Sequence, residues 1–196
     1  MYLETKRLII KSHTPDNAEL MCMWENDPEL LYYSDNQPEN REPASISGTE
    51  EYLKKIMQDD DNPVSIHFAV HKNNDNEFIG YGMIAEIDAY NKHCKLGIVI
   101  GNKQEWGKGF GKEILHNIAN YCFSVLAMNR IGAEIYDFNS KAIRVFEKTG
   151  FKREGVLRET VLKNGKYADE YIYSLLRNEW ENNFKKIKTN KNDFYH

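Results

Sequence analysis

Hydrophobic positions recur with two periods along this chain, and the switches between them mark its elements. Alternation predicts strands over Tyr2–Ser12, Val64–His71, Glu77–Asp88, Cys94–Ile100, Arg130–Tyr136, Phe151–Leu162 and Tyr167–Leu176. Ile66, Phe68 and Val70 share one face of the second. Helical spacing takes over after Thr14-Pro15-Asp16, through Ala18, Leu20, Met21 and Trp24, and ends near Asp27-Pro28. It returns after the capping-box pattern Ser47-x-x-Glu50, with Tyr52, Leu53, Ile56 and Met57 on one face. A long helix follows from Ile114 to Leu126 and a short one from Asn139 to Thr149, stopped by Gly150.

Turn chemistry fills the gaps. Residues 34–47 are polar and read as a loop, and Lys72 to Asn76 as a turn. Asn164-Gly165 is a hairpin signal. Gly80 and Gly82 inside a strand point to a bulge or a close backbone approach. Antiparallel strands come first and helical crossovers later, which predicts an α+β single sheet rather than a doubly wound one. One domain is expected over residues 1–184, with a disordered polar tail at 185–196.

Composition narrows the function classes. The 196 residues carry 26 Lys plus Arg against 30 Asp plus Glu, a net charge of −4, which gives no support for nucleic-acid binding. Cys22, Cys94 and Cys122 are odd in number and far apart, arguing against a disulfide framework or a metal site. Residues 1–10 contain Glu4, Lys6 and Arg7, so no signal peptide is expected. No apolar run approaches the roughly 18 residues that cross a bilayer, so no membrane role and a cytoplasmic location are expected. His67, His71 and His116 have no metal-spaced partners and read as structural.

Candidate chemistry gathers after the strand ending Ile98-Val99-Ile100. A polar turn leads to Gly107, Gly109 and Gly111, beside Lys108 and Lys112, and then to the long helix. The first N–H groups of a helix lack internal partners, the dipole adds positive charge there, and glycine admits close approach. A phosphate or pyrophosphate is the ligand this order favours. It is neither Gly-x-x-x-x-Gly-Lys-Ser/Thr nor Gly-x-Gly-x-x-Gly, which argues against nucleoside triphosphatase and dinucleotide-binding readings.

The string Gln104-x-x-Gly107-x-Gly109 resembles the acetyl-CoA loop of the GCN5-related N-acetyltransferases (GNAT). Three further segments resemble the branch holding ribosomal-protein and spermidine acetyltransferases. They are Glu4-Thr5-Lys6-Arg7-Leu8, Asn139 through Phe151, and Asn164-Gly165-Lys166-Tyr167. The resemblance implies a mixed, mostly antiparallel sheet, splayed at its centre and with helices on both faces. It implies acetyl-CoA as cosubstrate, no metal, and an amine acceptor. Relatives are often dimers, which leaves a homodimer open.

By the same resemblance, the backbone of Ile98, Val99 and Ile100 and the side-chain amide of Asn139 would hold the pantetheine arm. Gln104, Gly107, Lys108, Gly109, Phe110, Gly111 and Lys112 would hold the pyrophosphate. The polar helix-and-loop region with Asp35, Glu39 and Glu42 would border the acceptor. Glu86 is the first candidate for a base, ahead of Asp88, Glu159 and Asp169. Where many relatives carry an acid tyrosine this chain has Phe146, and where the ribosomal-protein branch uses a serine it has Ala142. Ser140 or Tyr136 could substitute, or no acid is needed. A CoA-binding module with little catalysis is the competing reading.

Overall fold

The computed structural model describes residues 1–33, 42–58 and 64–182. Eight strands form one sheet in the order β1-β2-β3-β4-β5-β6-β8-β7. They are β1 (Tyr2–Glu4), β2 (Leu8–Lys11), β3 (Ile66–Lys72), β4 (Phe78–Asp88), β5 (His93–Ile100), β6 (Arg130–Tyr136), β7 (Lys152–Lys163) and β8 (Lys166–Leu176). Among the described residues, the α-helices that accompany them are α1 (Ala18–Glu25), α2 (Pro28–Tyr33), α3 (Ile46–Met57), α4 (Phe110–Ser124) and α5 (Ser140–Thr149). Residues 177–182 add a last helical turn. All neighbouring strands are antiparallel except β5 and β6.

The sheet separates two apolar layers. On one face α4 buries Ile114, Leu115, Ile118 and Cys122 against β-strand residues such as Phe68, Ile84 and Leu96, and Phe146 of α5 joins them. On the other, α1 and α3 bury Met21, Trp24 and Leu53 against Ala69 and Phe78. Side chains alternate across a strand. Cys94 and Leu96 therefore face α4, while Lys95, Gly97 and Val99 face the side of α1. Gly80 and Gly82 are needed where β4 meets β5. A Cβ at Gly80 would lie 2.3 Å from the Val99 carbonyl, and one at Gly82 would lie 2.5 Å from that of Gly97.

Several expectations need correcting. The strand expected over residues 2–12 is a hairpin, because Thr5 N–H bonds to the Leu8 carbonyl at 2.8 Å and reverses the chain. The helix α3 is capped by Ser45, not Ser47. Ser45 is extended, and its hydroxyl accepts the Gly48 N–H at 3.1 Å. Asp27-Pro28 ends α1 but also opens α2, since Asp27 Oδ1 accepts the N–H groups of Glu29 and Leu30. Helix α4 begins at Phe110, four residues before the expected start. Asn164-Gly165 turns with positive φ at both residues, 50° and 72°, as a two-residue hairpin requires. Asp35, Glu39, most of the predicted 34–47 loop and the predicted 185–196 tail lie outside the described residues.

One buried group makes the layer under α1 acid-sensitive. His13 is 4% exposed, its Nδ1 has no partner, and burial lowers its pKa from 6.5 to about 4. His71, in the same layer, is lowered too, again mainly by burial. Both are held neutral in the fold, so the stability tied to them is complete above about pH 6.5 and is lost as pH falls below it. The His13 share would reach about 3 kcal/mol at the acid end. Denaturant unfolding at about pH 7 and pH 5 should show a smaller loss in His13→Leu than in the parent. Equal losses would refute this assignment.

Candidate active site

The two central strands part. β5 pairs with β6 only at His93–Arg130, Cys94–Ile131 and Lys95–Gly132. Beyond Lys95, β5 continues to Ile100 still paired with β4, and β6 continues to Tyr136 paired with β8. The facing edges from Leu96 to Ile100 and from Ala133 to Tyr136 have no ladder between them. A main chain with one edge unpaired offers donors and acceptors to a strand-like ligand. Ile98, Val99 and Ile100 are half-buried there, and the Ile98 and Ile100 side chains pack toward the α4 core. The Ile100 carbonyl is already engaged, accepting Trp106 Nε1–H at 2.7 Å. That leaves it less free for an arm than the sequence reading supposed.

The parting opens onto the glycine loop. After β5, a 3-10 turn at Lys103–Glu105 leads through Gly107 (φ 77°) and Gly109 (φ 84°) into α4. Both backbones are left-handed, which glycine adopts without strain. The first α4 N–H to find an acceptor is that of Glu113, on the Gly109 carbonyl at 3.2 Å. Among the described residues, no protein acceptor takes the main-chain N–H groups from Gly107 to Lys112. These donors fit a diphosphate.

The other predicted residues divide. The Gln104 side chain is exposed, and its N–H is taken by Asn102 Oδ1 at 3.0 Å. Lys108 pairs with the buried Glu105 at 3.0 Å, while Lys112 is exposed beside the loop. The Phe110 side chain is core, so only its backbone faces a ligand. Gly111 is buried, and a Cβ there would press to 3.3 Å on Val145 of α5. It serves helix packing as well as the loop. Asn139 spends its Oδ1 on capping α5, accepting the Ala142 N–H at 3.1 Å, which leaves its NH2 for the cleft.

Glu86, held by Lys95, and Tyr136 lie on the α1 face of the sheet. Glu86 sits on a bulge of β4 with φ 49°. It ion-pairs with Lys95 at 2.9 Å, and Lys95 also reaches Glu134 at 2.8 Å. These two carboxylates raise the Lys95 pKa, Glu134 contributing most. Glu86, His93, Lys95, Arg130, Gly132 and Glu134 line a shallow pocket at the point of parting. Tyr136 is buried and stacks on Phe138, centroids 5.3 Å apart, while Ser140 is exposed at the start of α5. Phe146 is core, 4.9 Å from Phe151, and its ring has no proton to give. Of the alternates, Asp169 accepts the Glu159 N–H at 2.9 Å within the β7–β8 pair, and Asp88 holds the Tyr90–Asn91 turn. His67 and His71 lie under α1 and α3 with structural partners, and His116 packs on Trp180. Among the described residues, no group of three or more His, Cys, Asp or Glu could hold a metal ion. No described helix is long and apolar enough to cross a membrane.

Sequence reasoning missed the walls of this site. Tyr32 of α2 packs on Phe138 at 4.9 Å, and Lys141 caps Trp106 at 3.9 Å. Lys163 Nζ reaches the Leu31 carbonyl at 3.3 Å. Only the aromatic residue Trp106, inside the loop string, was a visible signal.

A sequence model of the acetyltransferase (GNAT) domain family matches residues 7–152. The chain belongs to the GNAT acetyltransferases. An uncharacterized N-acetyltransferase, p20 of Bacillus licheniformis, is 28% identical over 178 residues, 91% of this chain and 97% of that protein. Spermidine N-acetyltransferase of Vibrio cholerae, solved with CoA and spermine, superposes with TM-score 0.79 at 23% identity, covering 90% of this chain and 99% of the other. Ribosomal-protein-S5-alanine acetyltransferase from Vibrio fischeri superposes with TM-score 0.79 at 17% identity, covering 92% and 98%. At these identities the two structures establish the fold. The GNAT protein described here is thus an N-acetyltransferase.

Gly109→Asp tests the loop. It puts a side chain at a left-handed position and a negative charge beside the proposed diphosphate. CoA affinity measured by calorimetry should fall about 100-fold or more. Unchanged affinity would mean the diphosphate lies elsewhere.

Proposed function

We propose that this protein moves the acetyl group of acetyl-CoA directly to a primary amine: a protein N-terminus, a polyamine or another small amine. The observation that carries this reading is the parting of β5 from β6 beside a helix start whose N–H groups have no protein acceptor among the described residues. It supports a ligand with an anionic end on α4 and an amide-bearing arm between the strands. The named activities of the Vibrio neighbours support an amine acceptor.

Acetyl-CoA would supply an activated thioester carbonyl at the parting. A main-chain N–H of β5 beyond Lys95 would then stabilise the developing oxyanion. An alkyl amine has a pKa near 10.4, so a group must take its proton before attack. Glu86 is the candidate. It follows Ala85, which pairs with Lys95, so it lies roughly 10 Å along the sheet from the level of Ile98 on the proposed acceptor side. Proton transfer would run through water, and Lys95 would have to yield its place to the incoming ammonium. For the departing thiolate, Tyr136 is the better-placed of the two candidate acids, being on the stretch of β6 that has parted from β5. A thiol pKa of about 8.5 makes the demand for an acid modest.

The competing reading, a CoA-binding module with little catalysis, draws on the burial of Phe146 where relatives carry a proton donor. A screen of acetyl-CoA consumption against N-terminal peptides, spermidine and aminoglycosides separates the two. Turnover on at least one acceptor is expected. CoA binding without turnover on any would favour the module. With an acceptor in hand, Glu86→Gln should lower kcat/KM about 100-fold at neutral pH. A rate within twofold of the parent would remove Glu86 as base.

A further inference from the structure

The turn between β1 and β2 lies far in sequence from the glycine loop and the start of α4 but touches them at several points. Arg7 Nε donates to Glu113 Oε2 at 2.7 Å, and Arg7 Nη2 lies 2.5 Å from the same oxygen. Arg7 Nη1 donates to the Lys108 carbonyl at 3.0 Å. Thr5 Oγ1 donates to the other carboxylate oxygen of Glu113 at 2.6 Å. The Arg7 guanidinium also rests over the Phe110 ring, 4.5 Å from its centroid.

Two physical consequences follow. Every peptide bond described is trans, so the carbonyl of Lys108 and the N–H of Gly109 point in opposite directions. A Lys108 carbonyl held toward Arg7 turns the Gly109 N–H away from the β1–β2 turn. Glu113, in the first turn of α4, favours the helix but would repel an anion bound at the same end. Both its oxygens are held toward the β1–β2 turn, and Arg7 offsets its charge. The turn itself is fixed, because Asn73 N–H bonds to the Arg7 carbonyl at 2.8 Å and Asn73 Nδ2 to that of Thr5 at 2.9 Å.

We propose that Arg7 is a positioning residue for the diphosphate of CoA: it touches no ligand itself, but orients the loop's N–H groups and cancels the repulsion from Glu113. This rests on the acetyl-CoA reading above. Arginine suits the role because its fork meets a carboxylate and a carbonyl together.

The test is calorimetric CoA binding by the full chain as parent, Arg7→Gln, Arg7→Lys and the double variant Arg7→Gln/Glu113→Gln, with melting temperatures recorded without ligand. Arg7→Gln should weaken CoA about 10- to 30-fold. Arg7→Lys keeps the charge and loses the fork, so it should fall between. The double variant should bind more tightly than Arg7→Gln, within about threefold of the parent, because the uncompensated carboxylate is gone. A purely structural role predicts the opposite: the double variant no tighter than the single, with a lower melting temperature. That result, or Arg7→Gln binding within twofold of the parent, overturns the proposal and leaves the functional reading intact. A parent that binds no CoA overturns both.

Discussion

Everything distinctive in this molecule depends on one unmade ladder. β5 and β6 are the sheet's only parallel neighbours, and they pair for three residues before diverging. Each strand is stable without the other because each has an antiparallel partner on its outer side, β4 for one and β8 for the other. The inner edges can therefore stay open in a sheet that is elsewhere continuous. An unpaired buried main chain is costly, and a fold keeps such an edge only when the groups remain accessible or are otherwise occupied. Here Gly97 to Ile100 are half-buried, and one carbonyl is met by Trp106.

The loop at the end of this gap is fixed from three sides. Arg7 and Thr5 hold the start of α4 from the β1–β2 turn. Lys72, from the end of β3, reaches Glu77 and the buried Glu105, which also holds Lys108. Its pKa is raised chiefly by Glu77 and Asp75. Lys103 reaches back to Asp27 at 2.7 Å and Glu29 at 3.3 Å. Each exposed pair is weak taken singly. Together they leave the loop little freedom, and an ordered loop loses less entropy when it meets a ligand.

Much of this arrangement was legible in the sequence because it is local. The strand, glycine loop and helix follow one another without interruption, so their spacing speaks directly. Gly80 and Gly82 announced the close approach of β4 to β5, and Asn164-Gly165 its hairpin. What stayed hidden depends on partners distant in the chain. Nothing near Arg7 signals that Glu113 will lie beside it. Nothing near Glu86 shows that Lys95 will hold its carboxylate. Gly111 looked like part of the loop, but Val145 needs its missing Cβ. The α3 start went astray for a nearer reason: two serines compete within three residues, and only Ser45 has the extended backbone of a cap.

The Trp24 indole sits where a Cβ on Gly101 would be, 2.0 Å from the nearest ring atom. Its ring also leans on Phe78 and stacks on Tyr81. One side chain from α1 thus forms the seat on which the chain leaves β5, and the Lys103 bridges anchor the next residues to the same α1–α2 junction. A displacement of that junction by a molecule docking against it would be transmitted to the glycine loop. Occupancy on the two sides would then be thermodynamically linked, and the linkage would act equally in both directions.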